Sequence, residues 1–163
     1  MCCYDESWLY KDMENMGFIF EYCERYCKRI YRKKIDPILF LDAFMRSPIR
    51  AEMEIGHPKL LSQAGIDTVR NFVDVDLDGD LSKFKAQRKY CFNKNQLYWV
   101  GWMYAYVHFM TKMPSKEIVE KFTIEGMLDF YYLGHEMSKE TALAHMGIEI
   151  NKKQKRRRRQ NVL

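Results

Sequence analysis

The sequence predicts an all-α fold: two small related helical modules packed as one compact unit, followed by a disordered basic C-terminal tail. Three observations point there. Between Phe18 and Tyr31, apolar or aromatic residues fall at 18, 19, 22, 23, 26, 27, 30 and 31, which is a single stripe at helical period. Polar capping residues stand directly before apolar runs, and twice the next residue is proline, at Asp36-Pro37 and Ser47-Pro48. Only 8 Gly and 4 Pro occur in 163 residues, too few for a β-sandwich or a disordered chain, while 47% hydrophobic and 15% aromatic residues supply a core for one domain or two very small ones.

Each element follows from these signals in order. Glu21, Glu24, Arg25, Lys28 and Arg29 fill the polar face of the first long helix. Asp36 caps a second helix through ILFLDAFM, and Ser47-Pro48 ends it and opens a short third one. Asp67 is placed to cap TVRNFVDV. Asn95 is placed to cap a long helix from Gln96 to about Thr111, Ser115 to cap KEIVEKF, and Ser138 to cap KETALAHM. Between the last two, Ile124 to Tyr132 reads as a helix broken at Gly134.

The second half echoes the first. At a constant offset of 78, Phe40, Leu41, Phe44, Ile49, Met53, Gly56 and His57 fall on Ile118, Val119, Phe122, Met127, Tyr131, Gly134 and His135. The expected division is a lead-in at 1–15, a first module at 16–75, an acidic-to-basic linker and helix at 76–94, a second module at 95–150 and a tail at 151–163.

The net charge of +5 is concentrated in the tail, because Lys152, Lys153, Lys155, Arg156, Arg157, Arg158 and Arg159 carry seven of the 27 basic residues. Without those seven, 20 basic residues face 22 acidic ones, so the body is mildly acidic and unlike a globally basic nucleic-acid-binding domain. Five cysteines at 2, 3, 23, 27 and 91 suggest no disulfide framework, and MCCYDESW does not read as a signal peptide, so a cytoplasmic location is expected. The most apolar run, LYWVGWMYAYVHFM at 97–110, covers 14 residues where a membrane span needs about 20. It reads as a buried helix.

The acidic stretch DVDLDGDL at 74–81 invites comparison with a calcium loop, which takes ligands at alternate positions and a glycine at the sixth. Asp74, Asp76, Asp78 and Asp80 with Gly79 fit that start, but Lys85 stands where the bidentate glutamate belongs. An acidic turn between the modules is therefore favoured over calcium, and no metal or other cofactor is expected. Cys23 and Cys27 lie one turn apart inside the apolar stripe, where cysteine behaves as a small hydrophobe.

His108 reads as a hydrogen-bonded core residue, and His57 and His135 as caps that bond the last carbonyls of a helix. His135-Glu136 could form an acid–base pair, yet no nucleophile, phosphate loop or HExxH motif accompanies it. A non-catalytic role is expected. The aromatic run contains no basic residue, which argues against base stacking and for core packing, with a protein interface on any exposed face. Trp99, Trp102, Tyr106, His135 and Glu136 are the candidate partner-binding residues. The tail could bind phosphates, dock on an acidic protein, serve nuclear import in a eukaryote, or only solubilise the chain.

AFMRSPIRAEMEIGHPKLLSQAGIDTVRNFVD resembles the first module of a family of bacterial antitoxin-like regulators. YWVGWMYAYVHFM, SKEIVEKF and YYLGHEMS resemble its second, through Tyr98, Trp99, Gly101, Trp102, Ala105, Tyr106, His135 and Glu136. The similarity covers roughly residues 16–147. It implies a role beside a toxin gene, by direct binding of the toxin or by repression. Many members continue into a Cro-type helix-turn-helix domain, where this sequence has the arginine run; that departure weakens the expectation of sequence-specific DNA reading. The expected function is a protein-binding antitoxin-like protein, with a nucleic-acid-associated regulator acting through the tail as the alternative.

Overall fold

A computed structural model describes residues 6–56, 58–86 and 92–149. Among them the fold is all-α, with nine α-helices and a lone antiparallel bridge between Ile35 and Lys85. The basic tail, His57, Cys2, Cys3 and Cys91 lie outside the described residues.

Helix α1 spans Glu6–Ile30, so most of the expected lead-in is helical. Leu9, Met13 and Met16 carry the buried stripe toward the N-terminus at the same period. Helices α2 (Pro37–Met45) and α3 (Pro48–Glu54) start as their sequences indicate: Asp36 accepts the Ile38 N–H at 2.9 Å, and the Ser47 hydroxyl accepts the Arg50 N–H at 3.2 Å. Helix α4 covers Pro58–Ser62, and α5 (Gly65–Asn71) runs on into a π turn at Phe72–Asp76. Asp67 does not cap α5; Ala64 holds that position, and Asp67 sits in the first turn 3.8 Å from Arg70.

A 3₁₀ turn at Ser82–Phe84 brings the chain back to the start of α2, where the Asp36 N–H donates to the Phe84 carbonyl at 2.7 Å. Helix α6 (Lys94–Thr111) is capped by Asn93 rather than Asn95, in a reciprocal box with Gln96. Helices α7 (Ser115–Lys121), α8 (Ile124–Gly134) and α9 (Lys139–His145) follow, the last two capped by Thr123 and Ser138. Each half thus runs from a long helix into short ones.

Two of the contacts between the halves stand out. The first is α1 against α6, the most extensive helix pair in the molecule. Glycines let the backbones approach: a Cβ on Gly101 would press into the Met16 carbonyl and come within 2.8 Å of Phe20 Cγ, and one on Gly17 would lie 2.6 Å from the Tyr98 ring. The second is a buried polar node. Arg50 and Asp12 are sealed from solvent and meet through two hydrogen bonds of 2.8 and 3.1 Å. Arg50 Nε also donates to the Ser115 hydroxyl at 3.1 Å, and the Ser115 N–H donates to Glu54 at 2.7 Å. Ser115 is therefore not a cap; the orphan donor at the start of α7 is satisfied by a carboxylate 61 positions earlier. One apolar cluster runs from Leu9 to Leu143 around these contacts.

Candidate partner-binding surface

The uncharged run of α6 distributes its rings to three neighbours. Val100, Met103, Tyr104 and Val107 enter the core, and the Tyr104 hydroxyl donates to the Phe122 carbonyl. Tyr98 lies over Gly17 of α1. Trp99 turns to α8, where it meets Phe130 and Tyr131 edge-on at centroid distances of 5.9 and 5.7 Å. Gly134 makes that seat possible, since a Cβ there would come within 2.7 Å of Trp99 Cη2. Trp102 is half-buried against the core.

Tyr106 corrects the sequence reading. It is completely enclosed, with Lys139 Nζ 5.6 Å from its ring, so it cannot present itself to a partner in this conformation.

His135 and Glu136 extend the Trp99 stack. The His135 ring lies parallel to Tyr131 at 4.2 Å, and its Nδ1 bonds the Tyr131 carbonyl at the end of α8. This is the capping role anticipated for a histidine at a helix end. Nε2 lies 3.0 Å from the Glu136 carboxylate, so both nitrogens are engaged, and the second can donate only when the ring carries both protons. That arrangement fixes the ring.

Sequence reasoning passed over the residues beside this stack. Tyr132 and Leu133 are 67% and 54% exposed, and Tyr132 meets Tyr131 at 5.9 Å. The signal was available in FYYL at 130–133: four consecutive apolar side chains point around most of a helix circumference, so one face of the helix can hide only some of them. Trp99, Tyr131 and His135 cluster on one face of α8, with Glu136 against His135, while Tyr132, packed on Tyr131, and Leu133 beyond it are exposed on the neighbouring outer face.

No family model, curated protein or solved structure matches this chain. The site therefore rests on its own chemistry.

The acidic stretch resolves into a turn. Asp78 and Gly79 both have positive φ, at 53° and 72°, and the Asp80 N–H donates to the Leu77 carbonyl at 2.9 Å. Asp-Gly supplies that geometry at little cost. The carboxylates diverge: Asp74 accepts from the Tyr31 hydroxyl at 2.8 Å, Asp76 from the Ile49 N–H at 3.1 Å, and Asp80 from the Ser82 N–H at 2.9 Å. The Ser82 hydroxyl first, and then its N–H, hold the Asp80 pKa below its usual value. Among the described residues, no three His, Cys, Asp or Glu side chains gather so as to hold a metal ion. Also among them, no helix is long and apolar enough to cross a membrane.

Cys23 and Cys27 are buried free thiols in the α1 stripe. Desolvation pushes Cys27 up to about 12 and Cys23 well above its ordinary value, so both remain protonated and apolar in character.

Proposed function

We propose that this chain is a non-catalytic antitoxin-like protein that acts in the cytoplasm by covering a partner protein, a toxin encoded beside it. The observation that carries this reading is the exposure of Tyr132, packed on a fixed Trp99–Tyr131–His135 cluster, and of Leu133 beside it on the outer face of α8. Rings already held by packing lose little conformational freedom on association, and tyrosine and tryptophan are favoured at the energetic centres of interfaces. Resemblance to antitoxin-like regulators in the α6–α8 sequence supports the identity of the partner. The mechanism is steric occlusion, with Trp99, Trp102, Tyr132 and Leu133 in the contact and Glu136 at its rim.

Co-expression with the product of the adjacent gene tests it. The wild type relieves the growth arrest that the partner causes, and Tyr132→Asp with Leu133→Asp abolishes relief while the melting temperature stays close to that of the wild type. Full protection by that double variant would overturn the assignment.

A second reading is favoured by one observation, the seven basic residues packed into 152–159. A nucleic-acid-associated regulator acting through Lys152, Lys153, Lys155 and Arg156 to Arg159 loses duplex binding when the run is deleted. Its affinity would fall steeply with salt.

A further inference from the structure

A cationic end forms where α1 finishes. The sequence has no acidic residue between Glu24 and Asp36, and none between Asp80 and Glu117. The fold joins these two stretches. Ile35 and Lys85 form the antiparallel bridge, and next to it the Asp36 N–H donates to the Phe84 carbonyl. Arg25 and Lys28 of α1 and Lys94 at the start of α6 line one open groove of 320 Å³. Glu21 and Glu24 also line it, so the surface of single sign begins at Arg25 and runs past the end of α1 to Lys85. Lys28 and Arg29 stand in the last turn of α1, and Arg32, Lys33 and Lys34 follow it. These eight basic side chains are exposed, and among the described residues none of them makes an ion pair. Eight of the 20 basic residues outside the tail gather here, which leaves 12 for the rest of the body against its 22 acidic ones. A body of nearly balanced charge is thus strongly polarised.

Local structure explains only part of this cluster. The carbonyl end of α1 favours cations at Lys28 and Arg29. Lys94 opens α6, where the helix dipole opposes a cation. Arg32 has a φ of 56°, a left-handed conformation that glycine adopts more readily. The neighbouring rings are not offered to bases: Tyr22 is covered by Arg25 at 4.8 Å, Tyr31 is tied to Asp74, and Phe92 packs against the core. That leaves cations without a stacking platform, which suits contact with phosphates and not with splayed bases. A lipid surface calls for an apolar face beside the cations, but α1 spends its apolar face on the core, and Ile30 is the only large apolar side chain exposed from Arg25 to Lys34.

We propose that this end of the molecule, from Arg25 to Lys34 with Lys85 and Lys94, binds the phosphate backbone of a nucleic-acid duplex without reading its bases. The site is separate from the basic run at 152–159 and from the α6–α8 surface, and it stands independently of the antitoxin reading.

The test uses the full-length chain with Lys152, Lys153, Lys155 and Arg156 to Arg159 replaced by glutamine, so that the tail no longer contributes. Its affinity for a short fluorescent DNA duplex is read by anisotropy between about 50 and about 200 mM salt. Binding should persist, and two unrelated sequences should bind alike. Lys33→Gln with Lys34→Gln, and separately Lys85→Gln with Lys94→Gln, should each weaken it by at least about fivefold. Each pair should also lower the slope of log affinity against log salt by about 2. Lys116→Gln with Lys121→Gln, exposed on α7, should change neither, and Tyr132→Asp should bind as its parent does. Melting temperatures close to the parent's show that the variants remain folded. No duplex binding once the tail is neutral, or an equal loss in the α7 pair, would overturn the proposal. So would stronger competition by phosphatidylserine vesicles or polyglutamate than by unlabelled duplex, which would make the partner a lipid surface or an acidic protein.

Discussion

Asp12 of α1 and Arg50 of α3, 38 positions apart, form a two-pronged ion pair with neither side chain in contact with solvent. Such a pair is held by its geometry, and removing one partner strands a buried charge at a cost of about 3–5 kcal/mol. Asp12→Ala is expected to lower the free energy of unfolding by that amount in urea titration. Asp12→Leu combined with Arg50→Met should recover part of the loss, because both members of the pair leave together, while Glu54, 3.5 Å from Arg50 Nε, loses its cation and limits the recovery. A double variant less stable than Asp12→Ala alone would refute this account.

Gly101 is the point where α6 touches the α1 backbone. Replacing a mid-helix glycine by alanine ordinarily stabilises by about 0.5–1 kcal/mol. Here the added methyl meets the Met16 carbonyl, which is main chain and cannot swing aside. Overpacking of this kind costs about 1–3 kcal/mol. Gly101→Ala should therefore lower the melting temperature, at about 2–4 °C for each kcal/mol in a chain of this size. A rise would show that the helices can separate freely.

His108 is 2% exposed, with Nδ1 bonded to the Met113 carbonyl at 2.8 Å. Burial first, and then the charge of Arg50, hold its pKa below 6.5 despite the opposing pull of Glu54 and Asp12. The folded protein keeps the ring neutral, so below about pH 6.5 the unfolded chain binds a proton that the folded one refuses. The stability tied to this group is complete above that pH and is lost as pH falls, by at most about 1.4 kcal/mol per pH unit. His108→Gln keeps a donor for the Met113 carbonyl. It should flatten the decline in urea midpoint between about pH 6.5 and about pH 5.5, and equal slopes in the two proteins would sink the assignment.

The two thiols of α1 offer a chemical test of the same burial. With its pKa raised to about 12, Cys27 carries almost no thiolate at about pH 8, and burial pushes Cys23 in the same direction. Iodoacetamide should leave both unmodified in the folded protein and label both in urea, as read by peptide mapping. Labelling of Cys23 or Cys27 at the rate of a small free thiol would mean that α1 detaches from the core.

Much of the fold was legible because helix periodicity and capping are local. The caps at Asp36, Ser47 and Ser138 and the α1 stripe could be read from neighbours in sequence alone. Asp67 and Ser115 failed as caps for a physical reason: the chain satisfies their helix starts differently, at Ser115 through Glu54 and Arg50, which no local window contains. Nothing in the local sequence marks Arg50 for burial, since only a buried acid from α1 makes it tolerable. The candidate surface was half legible. An uncharged helix such as α6 does not declare which rings face out, so Tyr106 and the tryptophans could not be separated by pattern. Tyr132 and Leu133 show their exposure only once Trp99 has claimed the other face of α8.

The pairing of α1 with α6 also sets the order of events on the ribosome. Helix α1 is made first, yet its principal partner is complete only 81 residues after α1 ends, at Thr111 against Ile30. At translation rates of roughly 5–20 residues per second, the apolar stripe of α1 waits about 4–16 seconds for a surface to cover it. During that interval the emerging chain presents Met13, Met16, Phe20 and Cys23 to whatever is near. Residues before α6 can shelter part of the stripe, because α5 already packs on α1, but Gly17 and its neighbours close only when Gly101 arrives. In a chain with this architecture the open stripe belongs to synthesis rather than to the released fold, and it closes only once α6 is made.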